Sequence, residues 1–306
     1  MSIKFYAWWA TRSNAVLTDA LESIINIVAG AFALFSLIIA AKPKDLNHPY
    51  GHGKIEFISV GFEGALIALA GIGMICKGGY NFFFPQTIHQ LDLGIWLTGL
   101  TGVVNFAMGW WLEKRGKKDH SVTLTGSGKH LQTDGYSSLG LLLGLALVWL
   151  TNLYVLDNIL AIIFGMIILF TGYNLLRKSL AGIMDEADYQ LITRLVEVMD
   201  RERQDNWIDI HNFRVIQYGA SLHIDCHMTL PWYFDNRQSH QEIKVLEKLI
   251  EENCSAPVEL FIHIDACTTE ACRICQKQDC NVRASPTETR LPWTIDNIME
   301  NMPHKV

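Results

Sequence analysis

The sequence predicts an all-α transmembrane helical bundle followed by a cytoplasmic α+β domain, and three observations lead to it. Half of the 306 residues are apolar and 18% are charged, but the charges are bunched rather than spread, which is not the pattern of one soluble domain. Apolar runs long enough to cross a bilayer fill residues 14–180, since a spanning helix needs roughly 20 residues. Residues 186–306 hold a large share of the Asp, Glu, Lys and Arg and carry strand-like alternation. The formal net charge of -6 comes without a long basic face, which excludes nucleic acid as a partner because nothing would neutralise its phosphates.

The elements follow in order. Residues 1–12 include Ile3, Phe5, Tyr6, Trp8 and Trp9 but are too short for a span. They read as the end of an upstream helix or as an interfacial segment, with no cleavable signal peptide. Spans are predicted at 14–41, 55–82, 91–112, 128–150 and 155–176. Stretch 14–41 carries only Asp19 and Glu22, 91–112 only Asp92, and 135–176 only Asp157. Lys and Arg are present at 42–54, absent at 83–90, present at 114–118, absent at 151–154 and present at 177–178. The positive-inside rule places the basic groups, and the domain that follows the last of them, in the cytoplasm. Five spans would leave the amino end outside; an upstream helix would return both ends to the cytoplasm.

In the soluble part, Leu191, Ile192, Leu195, Val196 and Met199 recur at helical spacing. Phe213 and Val215, then Leu222, Ile224, Cys226 and Met228, alternate around a Gln217-Tyr218-Gly219-Ala220 turn and predict a hairpin. A helix over 239–252 and a strand over 259–265 complete a sheet covered on one face. The expected organisation is a transport domain at 1–180 with its linker at 42–54, a metal-binding and dimerisation domain at 186–266, and a Cys-rich tail at 267–306. Within the tail, 291–299 is expected to form a short helix lying on a partner surface.

Four groups of residues carry chemistry. His130 and Asp134, at i and i+4, open one apolar run, and Glu22 and Asn26 share that spacing in another, with Asp19 one turn earlier. Such pairs project from one helix face, and ionisable groups at that depth face a partner or an aqueous path rather than lipid. Nitrogen and oxygen donors suit zinc and other first-row dications. Two carboxylates balance one dication, and His130 can take up a proton when the metal leaves. Helix–helix hydrogen bonding is the plainer alternative, above all for Asn26. The second group, Asp45, His48 and His52, puts three N/O donors in a short linker; an ordinary Pro/Gly turn is the alternative.

The third group lies on strands. Alternation places His223, Asp225 and His227 on one face, and His263 and Asp265 likewise, with Ile264 turned to the core and His240 beginning the covering helix. These suit a metal pair at a subunit contact, against a solvated polar face. The fourth is Cys267-x4-Cys272-x2-Cys275-x4-Cys280. In a cytoplasmic segment this suits structural zinc or another thiophilic metal, with an iron–sulfur cluster or a redox CxxC as alternatives.

With these residues in view, the chain resembles the cation diffusion facilitator family of divalent-metal/proton antiporters over nearly its whole length. The resemblance implies six membrane helices, a ferredoxin-like cytoplasmic domain, and a homodimer working by alternating access. It implies a transport site joining Glu22 and Asn26, on the family's second helix, to His130 and Asp134 on its fifth. The linker motif Asp45-x2-His48-x3-His52-Gly53-Lys54 also matches. Bacterial zinc exporters of the family bind metal there, and His227, His240, His263 and Asp265 fall where they hold a metal pair. Three departures stand out: most of the first helix is missing, Glu22/Asn26 replaces the commoner Asp/Asp or His/Asp, and the four-cysteine tail is an addition.

The expected function is therefore efflux of a divalent cation, zinc first with iron, manganese and cadmium open, against protons. No organic cofactor and no enzyme activity are expected. Short loops and the lack of organelle signals fit a bacterial inner membrane. A membrane-anchored metal sensor is the alternative, though an anchor has no need of buried Glu22 and Asp134. A membrane zinc enzyme ranks lower, because no general base accompanies an HExxH-like pair.

Overall fold

The computed structural model describes Phe5 and residues 14–84, 91–151 and 154–304; the rest of the interfacial segment expected at 1–12 lies outside the described residues. The chain divides into two compact units, Met1–Met184 and Asp185–Val306.

The first unit is helical. Helices α1 (Asn14–Ala40), α2 (Ile55–Phe83), α3 (Leu91–Lys118), α4 (Val122–Thr151) and α5 (Tyr154–Ile183) each run 27 to 30 residues, about 40–45 Å at 1.5 Å per residue. That exceeds the ~30 Å apolar core of a bilayer. Among the described residues, α2 alone is long and apolar enough to qualify as a span by composition. The helices also carry polar residues, and the bundle turns many of these inward: Ser36, Ser59, Glu63, Thr123, His130, Thr133, Asp134 and Ser138 are buried. Leu34, Phe35, Leu69, Val103, Phe170 and Tyr173 are exposed around them. An apolar exterior over a polar interior suits lipid rather than water.

Two pairs form the frame, α2 with α5 and α3 with α4, and α1 packs on α2 and α4. Small residues set the approach. A Cβ built on Gly71 would lie 2.7 Å from the Leu169 backbone nitrogen, and one on Gly172 would lie 2.6 Å from that of Ala68. Between α3 and α4, Gly109 and Gly128 approach the opposing backbone as closely. Gly64/Gly71 and Gly165/Gly172 recur every seven residues, keeping one narrow face toward the partner helix.

At one end, Ser121 Oγ donates to Glu56 Oε2 (2.6 Å), Thr123 N donates to the same oxygen (3.1 Å), and Ser179 Oγ donates to the Phe57 carbonyl (2.6 Å). These bonds gather the three basic segments at a single end of the bundle, the arrangement the charge pattern requires. Helix α3 runs six residues past its expected end and α4 starts six before its own. Lys117–Glu113 (2.7 Å) and Arg115–Asp119 (2.6 Å) support the extension as i,i+4 pairs.

The second unit runs α6 (Tyr189–Arg201), β1 (Asp209–Tyr218), β2 (Ser221–Leu230), α7 (Asn236–Asn253), β3 (Val258–Ala266), a 3₁₀ turn (Glu270–Arg273) and α8 (Ile295–Ile298). Strands β1 and β2 form the antiparallel hairpin, closed at Gly219 in the left-handed region (φ 59°), and β3 joins β2 in parallel. Asp188 caps α6, accepting from Gln190 N and Leu191 N, and an Asp235/Gln238 capping box starts α7. One face of the sheet packs Phe213, Ile224, Cys226 and Met228 against Ile192, Leu195 and Met199 of α6 and Leu246 and Ile250 of α7. Ile264, expected in that core, keeps 39% exposure on the outer strand.

The region past β3 belongs to this same unit. Trp293 and Ile298 are buried in the sheet core, so α8 lies on its own domain rather than on a partner surface. Arg203 holds the segment, its guanidinium 4.0 Å from the Trp293 ring centroid while donating to the Leu291 carbonyl (2.8 Å).

His304 fastens the segment after α8 onto Asp209, with its backbone N donating to Asp209 Oδ2 (3.0 Å) and its ring Nδ1 bonded to Oδ1. Burial alone would raise Asp209, but the neighbouring His211 imidazole and the bonds and charge of His304 outweigh it and hold the carboxyl well below the usual range. For His304, burial lowers the value, and the bond and charge of Asp209 more than reverse this. The depressed acid stabilises above its ordinary 3.8 and the raised histidine below its ordinary 6.5, so the contact is complete between these values. His304→Ala is expected to remove about 1–3 kcal/mol from this latch near pH 6, and less once pH rises through the raised His304 value. Hydrogen exchange over residues 292–304 of the full chain, at two pH values, checks it.

Candidate metal centres

Helix α4 carries His130 and Asp134 one turn apart, both buried, with Nε2 and Oδ2 3.9 Å apart. That is too long for a hydrogen bond and wider than the ~3.3 Å between two donors each ~2 Å from a tetrahedral ion, so binding would draw the pair slightly together. Thr133 Oγ1 donates to the Lys129 carbonyl (2.8 Å) and Ser138 Oγ to that of Asp134 (3.0 Å), so neighbouring hydroxyls are satisfied within the helix. The partner pair Glu22 and Asn26, with Asp19, sits in the helical backbone of α1, whose side chains at these positions lie outside the described residues. Helix α1 packs against α4, the helix of His130 and Asp134.

Glu63 on α2 is a further buried carboxylate in this bundle. Its Oε1 accepts from Ser127 Oγ at 2.5 Å, while Oε2 is buried without a hydrogen-bond partner, a costly arrangement for a polar atom. Its signal in the sequence was a carboxylate within an apolar run that also carries Glu56 and Lys77.

The linker residues meet. Asp45 accepts from Asn47 N (2.9 Å) and His48 N (2.7 Å), which folds the turn. His48 Nδ1 is 3.1 Å and His52 Nε2 3.4 Å from its carboxylate. The backbone bond from His48 leads the causes that hold Asp45 below its ordinary value. One donor atom from each residue lies within 4.8 Å of the others, His52 Nδ1 is buried without a partner, and Asp45 and His48 are open to solvent. Two nitrogens and a carboxylate at this separation fit a dication with a position left open.

On the sheet, His211, His227 and Asp265 also bring their donors within 4.8 Å. His227 Nδ1 is 2.9 Å, His211 Nε2 3.6 Å and His263 Nε2 3.4 Å from the Asp265 carboxylate. The strand register sets His211 opposite His227 and His227 beside His263, so three imidazoles line up across three strands. Behind them, His211 Nδ1 faces Asp209 Oδ2 at 3.4 Å, the carboxylate support a ligating histidine commonly has. His211 is absent from the residues singled out by the sequence, because the bulge between His211 and Arg214, with Asn212 at φ 52°, inverts the alternation. Counted back from Phe213 in steps of two, His211 falls in the core; the extra residue turns it to the opposite face.

His223 is separate, 3.7 Å from Glu259 and tilted against Phe261 with ring centroids 5.0 Å apart. His240 is exposed in the first turns of α7, whose apolar side covers the other face of the sheet, and it does not join the row within one chain. Cys267, Cys272, Cys275 and Cys280 are free thiols lining one small cavity.

Comparison with known proteins supports the division into two units. The cation efflux transmembrane domain matches residues 1–184, and the cation efflux protein cytoplasmic domain matches 185–267. An uncharacterized transporter of Synechocystis sp. is 31% identical over 252 residues, 82% of this chain and 81% of that protein. A cation-efflux pump FieF of Pectobacterium atrosepticum is 24% identical over 86% of this chain and 87% of the pump. A metal tolerance protein 2 of Oryza sativa subsp. japonica is 27% identical over 84% of this chain and 72% of its own length. The chain therefore belongs to the cation efflux family of transporters, the cation diffusion facilitators, whose members pair a helical membrane domain with a cytoplasmic domain.

Proposed function

We propose that this protein exports a divalent metal cation, zinc in first place, from the cytoplasm in exchange for protons, as a homodimer in a bacterial inner membrane. The observation that carries this reading is the buried His130/Asp134 pair inside a bundle whose outer surface is apolar. Glu22 and Asn26, with Asp19, are proposed to complete the donor set from α1, on their spacing in the sequence. An imidazole, an amide and carboxylates suit zinc, and the same donors accept iron(II), manganese(II) or cadmium(II). When the cation departs, His130 and the carboxylates take protons, so the empty cage is not left with uncompensated charge. The α2/α5 and α3/α4 pairs, locked by close glycine contacts, support alternating access by motion of whole pairs.

The cytoplasmic end supplies the cation. Asp45, His48 and His52 would hold it at the linker, and His211, His227, His263 and Asp265 would hold it on the sheet. His223 and His240 would add donors across a subunit contact. The exposed Phe261 on the same sheet face supports self-association there. Loading this face at high cytosolic metal favours the dimer, a population shift set by differential affinity. A membrane-anchored sensor shares these cytoplasmic clusters but gives no reason for buried charge in α4.

Inside-out vesicles with an imposed proton gradient test the reading. Metal uptake should follow the gradient and stop when a protonophore collapses it; uptake indifferent to the protonophore would remove the coupling, and absence of uptake would remove transport. His211→Ala is expected to weaken zinc binding at the sheet by at least about 10–100-fold, the range for losing only the outer support of a ligating histidine, read by competition with a chromophoric chelator.

A further inference from the structure

We propose that Cys267, Cys272, Cys275 and Cys280 form a tetrathiolate site for one thiophilic divalent cation, chemically a structural zinc site, which clasps the carboxyl-terminal segment to the sheet. Three of the four cysteines lie beyond the matched family domains, which end at residue 267, and the site does not depend on the transport reading.

Three separate pieces of chain bring the sulfurs to one cavity, which Ile208, Tyr233, Lys277 and Arg283 also line. Cys267 follows directly on β3, and its backbone N donates to the Leu230 carbonyl at the end of β2 (2.9 Å). Cys272 and Cys275 bracket the end of the 3₁₀ turn, where Cys275 N donates to the Cys272 carbonyl (3.4 Å). Residues three apart eclipse in such a turn, so both thiols leave on one side. Cys280 arrives from the following loop.

The loop is held by Arg283, whose guanidinium donates to the carbonyls of Cys272 (3.1 Å), Cys275 (3.3 Å) and Lys277 and to Thr287 Oγ1 (2.8 Å). Arg283 Nη2 also lies 3.9 Å from Cys275 Sγ. Four thiolates around a dication leave a double negative charge, and Arg283 and Lys277 at the cavity wall offset it. The backbone bonds hold the turn, and the thiols add only weak contacts of their own, Cys275 with Arg283, Cys267 with the Trp232 backbone and Cys280 with Tyr233, which a metal ion would replace. All four are unpaired, as a reducing cytoplasm requires. The sulfurs do not close within 4.8 Å of one another as the two histidine clusters do, so ligation draws the surrounding segments inward. That closure would tighten the short apolar cluster of Ile208, Ile274, Cys275 and Leu291, and with it the path to Trp293.

The experiment uses the full chain purified in detergent, stripped of metal under reducing conditions and titrated with cobalt(II). The expected result is sulfur-to-cobalt charge-transfer absorption at one equivalent, lost in Cys272→Ser/Cys275→Ser and displaced by zinc. Iodoacetamide labelling of the unmutated chain guards against a variant that fails to fold. Zinc should protect the four cysteines and leave Cys254 labelled as before. Absence of the charge-transfer band, equal labelling with and without zinc, a disulfide among the four, or iron with visible cluster absorption in the protein as isolated would each overturn the proposal.

Discussion

Replacing Asp134 with alanine is expected to lower proton-driven metal uptake by well over tenfold, the factor that corresponds to ~1.4 kcal/mol. The reason is local. Asp134 and His130 are buried side by side on α4 with their donor atoms 3.9 Å apart, and removal of the carboxylate takes away both a ligand and the charge that compensates the dication. His130→Ala removes the neutral ligand and the proton acceptor together, so a comparable loss follows. Asp134→Asn separates the two contributions, because it keeps an oxygen donor and the side-chain shape while cancelling the charge. It should retain weak metal binding but lose coupled flux. Initial rates in vesicles, normalised to monodisperse protein recovered from each variant, check the order.

Gly71→Leu is expected to have the largest effect on folding. The Cβ of any larger residue would stand 2.7 Å from the Leu169 nitrogen and 2.9 Å from the Gly165 carbonyl oxygen. These are backbone atoms of α5 that cannot swing aside, so the two helices must separate. Overpacking of this kind costs about 1–3 kcal/mol where side chains yield, and more where only backbone faces the intruder. Gly73→Leu is the matched control, since a Cβ there meets nothing within 4 Å. Thermal melts in detergent should show a clear fall for Gly71→Leu and little change for Gly73→Leu. Equal melts would show that α2 and α5 do not rely on this approach.

The helical bundle was legible because lipid imposes long apolar runs, and the soluble hairpin because alternation is regular on either side of Gly219. Helix ends were not. Charged residues at 113–118 mark where the chain leaves the apolar layer, but Glu, Lys and Arg continue a helix as readily as Leu does, so α3 runs on to Lys118. The linker cluster could be read from Asp45, His48 and His52 because all its members are local. The sheet cluster could be read only in part: His227, His263 and Asp265 follow from period two, whereas His211 depends on a bulge that no spacing rule anticipates. Trp293 and Ile298 looked like tail residues because their partners, Ile192 and Phe213 among them, are distant in sequence. Glu63 was visible as a charge in an apolar run, but its unpaired oxygen appears only once α2 and α4 are packed.

The claim that one buried cage holds either a dication or protons is tested most directly by counting protons released as zinc binds to the full-length protein. Calorimetric titrations in buffers of different ionisation enthalpy give that count. Wild type should release protons beyond those of the linker, sheet and cysteine sites, and Asp134→Ala should lose this excess with the other sites still binding. Identical proton release by wild type and Asp134→Ala, with undiminished zinc stoichiometry, would contradict it.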